Sequence, residues 1–119
     1  MKQIAFTIFL TFFSLLCCLP ASATTKWVLV TGSYTFTFTQ IGGTSPTEEF
    51  SYTQAGSNNT GTAYLHTNSN GFVDMQQMTG DNITCDYIGQ MTSATTAQGK
   101  QICPTGYYGT WNATITNSY

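Results

Sequence analysis

Apolar and polar residues alternate along most of this chain with a period of two. The pattern is clearest in residues 34–39, YTFTFT, where aromatic side chains fall on one face and threonines on the other. This alternation is typical of a half-buried β-strand, whereas an α-helix would scatter the same rings around its circumference. After residue 23, no window of 11 residues or more carries a helical apolar stripe.

Turn-forming residues divide the pattern into short strands. Residues 27–30 are apolar on both faces, and Gly32 is predicted to mark a bend or bulge before the alternating run. A cluster of Gly, Thr, Ser and Pro at 42–46 ends this first stretch. Further strands are predicted at 50–53, 62–67, 72–78, 83–91, 98–103 and 107–116.

Seven or eight short strands at intervals of 8–12 residues indicate an all-β domain, either a sandwich or a small barrel. The short turns favour a meander over Greek-key crossings. We predict a small antiparallel meander barrel, because closure removes exposed strand edges in a chain with few charges to protect them. A β-sandwich is the alternative.

The first 23 residues have the three-part pattern of a secretory signal peptide. Lys2 supplies a positive charge, an apolar run follows, and Ala21-Ser22-Ala23 offers small residues for cleavage after Ala23. The predicted organisation is therefore a signal peptide at 1–23 and a single all-β domain at 24–119. The predicted location is secreted or periplasmic.

Two cysteines, Cys85 and Cys103, follow this segment. In an oxidising compartment, a lone pair in a small secreted domain predicts a disulfide. A redox pair usually has two residues between its cysteines, and a zinc site needs four ligands, for which the only His is His66.

Charged residues make up only 7% of the chain, and there is no arginine. Nucleic-acid binding requires several Lys or Arg side chains to neutralise phosphates, so this partner class is excluded. The same shortage argues against a basic membrane-binding surface, and no membrane association is predicted once the signal is removed.

The titratable residues do not form a recognisable catalytic set. His66 is predicted to be a solvent-facing or hydrogen-bonded strand residue, and no Gly-x-Ser-x-Gly motif accompanies it. Glu48 and Glu49 are neighbours, so on a strand they point to opposite faces; they are predicted to protect an edge strand. We therefore predict no enzyme activity, no cofactor and no metal site.

The remaining functions are binding and structure. We predict a non-catalytic binding module that recognises a glycan, a cell-envelope component or a protein. An inhibitor of a protein partner is one form of this function. Tyr64, Tyr108 and Trp27 are the candidate aromatic residues of its surface, whereas Tyr107 and Trp111 are predicted to fill the core.

Two alternatives remain open: a carrier whose barrel interior holds a small ligand, and a structural or adhesive subunit that assembles by strand addition. Three Asn-x-Thr sequons, at Asn58, Asn82 and Asn112, are glycosylation candidates in a eukaryotic source. The Gly32-Ser33-Tyr34 opening followed by a meander resembles small lipocalin- or avidin-type barrels in shape, a likeness that transfers no ligand motif or binding residue.

Overall fold

The computed structural model describes residues 24–118, which form eight β-strands. The predicted signal peptide at 1–23 lies outside the described residues. In chain order the strands are β1 Thr24–Thr31, β2 Tyr34–Thr44, β3 Thr47–Gln54, β4 Thr60–Thr67, β5 Phe72–Thr79, β6 Asn82–Met91, β7 Thr96–Ile102 and β8 Tyr108–Ser118.

The strands close into an antiparallel meander barrel, which confirms the predicted fold and excludes the sandwich. Each strand pairs with its neighbours in the sequence, and β8 returns to pair with β1. The edge-strand interpretation of Glu48 and Glu49 is wrong, because β3 pairs with both β2 and β4.

Gly32 lies in a hairpin turn, so the bend or bulge predicted there is wrong. Thr31 pairs with Tyr34 across the two residues Gly32 and Ser33, and Gly32 has a φ of 58°. A glycine with positive φ at the first turn position matches the twist of antiparallel strands, so the chain reverses instead of continuing.

The inward face of the barrel is filled with apolar side chains. Phe36, Phe38, Tyr52, Tyr87 and Trp111 pack with ring centroids 5.7–6.3 Å apart in tilted or edge-to-face arrangements. Such pairs add stability beyond the area that they bury. The other buried apolar residues are Trp27, Leu29, Phe50, Ala63, Leu65, Val73, Met75, Cys85, Ala97, Cys103, Ala113 and Ile115.

The alternation of the sequence sets this interior. In β1, Trp27 and Leu29 are buried while Val28 and Val30 face outwards. In β8, Trp111, Ala113 and Ile115 are buried, as their shared parity predicts. Because side chains alternate along a strand, one register fixes which residues of every strand face the core.

Candidate functional site

One end of the barrel opens into a concavity, which we call the mouth. The connections β1–β2, β3–β4, β5–β6 and β7–β8 lie at this end, as an antiparallel meander requires. The concavity has a volume of about 540 Å³, within the range of small-molecule sites. It is lined by Tyr34, Phe36, Gln54, Asn59, Gln77, Thr84, Cys85, Tyr87, Gln101, Cys103, Thr105 and Tyr107.

Four inward-facing residues form a chain of hydrogen bonds beneath the mouth, which we call the polar chain: Thr31, Gln101, Tyr87 and Gln77. Thr31 Oγ1 donates to Gln101 Oε1 at 2.6 Å, and Gln101 Nε2 donates to Tyr87 Oη at 3.3 Å. Tyr87 Oη in turn donates to Gln77 Oε1 at 2.8 Å. All four residues are buried, so each hydrogen bond offsets the cost of removing a polar group from water.

Burial raises the pKa of the Tyr87 phenol far above its usual range, although the hydrogen bond from Gln101 lowers it in part. The phenol therefore remains protonated at any physiological pH and acts as a neutral donor. The polar chain carries no charge in these conditions.

Two tyrosines form the aromatic part of the rim. Tyr34 begins β2 and is 51% exposed, and Tyr107 precedes β8 and is 49% exposed. The Tyr107 hydroxyl reaches across to Gly32 in the β1–β2 turn. The prediction that Tyr107 fills the core is wrong, because it lies in the β7–β8 loop, where strand parity does not apply.

The predicted disulfide between Cys85 and Cys103 is confirmed, and it lies in the wall of the mouth. It ties β6 to the loop that follows β7. Two backbone hydrogen bonds close that loop: Cys103 N donates to Tyr107 O at 3.0 Å, and Gly106 N donates to Cys103 O at 2.8 Å. The loop that carries Tyr107 is thus held at both ends.

The aromatic residues predicted for a binding surface lie elsewhere in the barrel. Trp27 is only 3% exposed and pairs with Phe38 and Ile115, so the expectation that its ring shows on the outer face is wrong. Its inward parity, shared with Leu29, places it in the core. Tyr108 is 72% exposed.

Tyr64 is half-buried on the outward parity of β4. The structure brings neither Tyr64 nor Tyr108 to the mouth. Their role in binding stays a prediction.

His66 makes two hydrogen bonds on the outer face. Its Nδ1 lies 3.3 Å from Thr47 Oγ1 and its Nε2 lies 3.2 Å from Gln76 Oε1. Since an amide oxygen only accepts, Nε2 donates to Gln76, and Nδ1 shares a hydrogen bond with the threonine hydroxyl. Both ring nitrogens are thereby engaged, in agreement with the predicted hydrogen-bonded strand histidine.

Two carboxylic acids, Asp74 and Asp86, share the outer face of β5 and β6. Burial raises the pKa of Asp74 to about 6, the neighbouring Asp86 carboxyl adds to the increase, and the charge of His66 opposes it. Among residues 24–118, no group of three or more His, Cys, Asp or Glu is placed to hold a metal ion.

Sequence reasoning missed the mouth, and above all Gln77 and Gln101. Both lie on the inward parity of strands whose other inward residues, such as Met75 and Ala97, are apolar. A polar residue at a core position is the informative exception in such a pattern, so this signal was present in the sequence.

Comparisons with known proteins add no relative. No protein-family model, curated protein or solved structure matches this chain. Within residues 24–118, no helix has the length and apolar character needed to cross a membrane.

Proposed function

We propose that this protein is a secreted or periplasmic non-catalytic binding module that takes a small uncharged ligand, the end of a glycan, in the mouth of its barrel. The disulfide and the predicted signal peptide support the location, since disulfides persist in oxidising compartments. The observation that carries the proposal is the chemistry of the mouth, where exposed tyrosine rings stand above neutral amides and hydroxyls.

The mouth favours a ligand without charge. All twelve residues that line it are uncharged at neutral pH, and only one titratable class, tyrosine, is among them. A charged ligand would lose its hydration on entering without meeting an opposite charge, which is costly. A neutral ligand rich in hydroxyl groups would exchange hydrogen bonds to water for bonds to Gln54, Asn59, Gln77 and Thr84.

The rim favours a ring with an apolar face. The faces of Tyr34 and Tyr107 are electron-rich, so they attract the weakly positive C–H groups that cover one side of a pyranose ring. Half-exposed tyrosines also lose little conformational freedom on binding and carry much of the energy at recognition sites.

The filled interior does not support the carrier alternative. Phe38, Phe50 and Tyr52 are at most 1% exposed and occupy the space that a ligand deep in the barrel would need. Strand addition has no support either, because each of the eight described strands already pairs with two neighbours.

The test is calorimetric titration with methyl glycosides of glucose, galactose, mannose and N-acetylglucosamine, and with their neutral disaccharides. Tyr107→Ala should weaken binding of the best glycoside at least tenfold, because the stacking surface is lost. Tyr108→Ala is the matched control: the same change one residue later, at a side chain outside the mouth. Absence of binding by the whole panel, or equal effects of the two substitutions, would overturn the proposal.

A further inference from the structure

The hydrogen bonds of the polar chain all run in one direction, from Thr31 towards Gln77, and the disulfide sets that direction. Gln101 Nε2 lies 3.7 Å from Cys85 Sγ as well as within hydrogen-bond distance of Tyr87. A disulfide sulfur has no proton and acts only as a weak acceptor. The nitrogen of the Gln101 amide therefore faces Cys85, and its oxygen faces Thr31, which donates to it.

The orientation of Gln101 determines every later member of the polar chain. Tyr87 Oη accepts a hydrogen bond from Gln101, so its own hydroxyl hydrogen is free to form the next hydrogen bond. It donates to Gln77, whose side chain must present its oxygen to the phenol. In an amide, the nitrogen then points away from the phenol, with two N–H donors.

The amide nitrogen of Gln77 has no acceptor among residues 24–118. No hydrogen bond among residues 24–118 uses Gln77 Nε2, although the residue itself is only 1% exposed and lines the mouth. A ligand that displaces water from these donors must supply an acceptor, since a buried donor left without a hydrogen bond is destabilising.

We propose that the mouth selects its ligand through an uncharged oxygen acceptor, such as a hydroxyl, ring or carbonyl oxygen, that receives a hydrogen bond from Gln77 Nε2. The disulfide sets the orientation of the Gln77 amide through Gln101 and Tyr87. Gln77 is therefore the specificity-determining residue, and Tyr87 is a positioning residue. The inference rests on the proposed function, because it names the contact by which the same site distinguishes ligands.

The first test observes the Gln77 side-chain amide directly in the wild-type protein. In ¹H–¹⁵N NMR spectra, the glycoside that binds best in the calorimetric panel should shift a Gln77 Nε2 proton downfield. That shift should saturate with the same Kd as the backbone amides of the mouth. An unmoved Gln77 side chain beside shifted mouth amides would overturn the inference and leave the proposed function standing.

The second test changes the donor. Gln77→Glu keeps the shape of the side chain but replaces the N–H donors by an oxygen, and it should weaken binding of the same glycoside at least tenfold. Gln98→Glu introduces the same chemistry at an exposed position outside the mouth and should leave the affinity unchanged. Equal affinities for wild type and Gln77→Glu would overturn the inference.

The third test removes the hydroxyl that orients the Gln77 amide, and it remains informative if the Gln77 variant fails to fold. Tyr87→Phe keeps the ring but removes the phenol that orients Gln77. It should weaken glycoside binding several-fold and move the Gln77 side-chain resonances in the free protein. Unchanged resonances and affinity would show that the phenol does not orient the amide. If no glycoside binds the wild type, the proposed function and this inference fall together.

Discussion

Replacing Gly99 by alanine should destabilise the barrel severely, because two strands meet there without side chains. Gly99 on β7 pairs with Gly89 on β6. A Cβ at Gly99 would lie 2.6 Å from the Cα of Gly89 and 2.7 Å from the carbonyl carbon of Ile88. These are backbone atoms, so no flexible side chain can move aside, and the two strands must separate.

The expected cost follows from that separation. Forcing an extra methyl group into a packed site costs about 1–3 kcal/mol. Breaking two ladder hydrogen bonds between β6 and β7 adds about 1 kcal/mol each, for a total of about 4 kcal/mol. The free energy of unfolding of a domain of this size is about 5–15 kcal/mol, so a large part of its stability would be lost. The corresponding fall in Tm is about 15–30 °C.

Thermal unfolding followed by circular dichroism measures this loss. Gly42→Ala is the matched control, because Gly42 has no positive φ and its Cβ would meet only a glutamate oxygen at 4.0 Å. The control should change Tm by only a few degrees, as surface substitutions do. If Gly99→Ala lowered Tm by no more than the control does, the inferred close approach of β6 and β7 would be refuted.

Two further stability predictions concern the disulfide and the acidic pair. Replacing both Cys85 and Cys103 by alanine should lower the free energy of unfolding by about 3 kcal/mol, from loop entropy at a sequence separation of 18. Denaturant unfolding measures the loss, and an unchanged midpoint would contradict it. The pKa of Asp74 is raised in the folded state, so the folded protein loses stability as pH rises from about 4 through 6. Asp86→Asn should remove part of this penalty, about 1 kcal/mol after solvent screening, and so raise Tm at pH 7.5 but not below pH 4; an equal effect at both values would argue against the coupling.

Strand alternation made most of the fold predictable. In residues 34–39 the parity separates rings from outer threonines, and Phe36 and Phe38 are buried as it requires, whereas Tyr34 at the start of β2 lies on the rim. The disulfide was predictable by elimination, since only Cys85 and Cys103 follow the predicted signal. Gly32 was misinterpreted because a glycine between two apolar runs is compatible with a bulge or a turn. Only the pairing of Thr31 with Tyr34 distinguishes them.

The mouth was not predictable in the same way, because its residues come together only when the barrel closes. Thr31 and Gln101 are 70 positions apart and meet because β1 and β7 both flank β8. Periodicity assigns a face to each residue but not its height along the barrel axis. Tyr107 shows the limit, since one position before β8 it leaves the parity of the strand and turns to the rim.

The central claim is that the mouth binds an uncharged sugar, and a crystal structure with the best-binding methyl glycoside tests it most directly. The account predicts the pyranose ring against Tyr34 or Tyr107, with one of its oxygens within hydrogen-bond distance of Gln77 Nε2. An empty mouth, with the glycoside bound at Tyr64 or Tyr108 on the outer face, would contradict it.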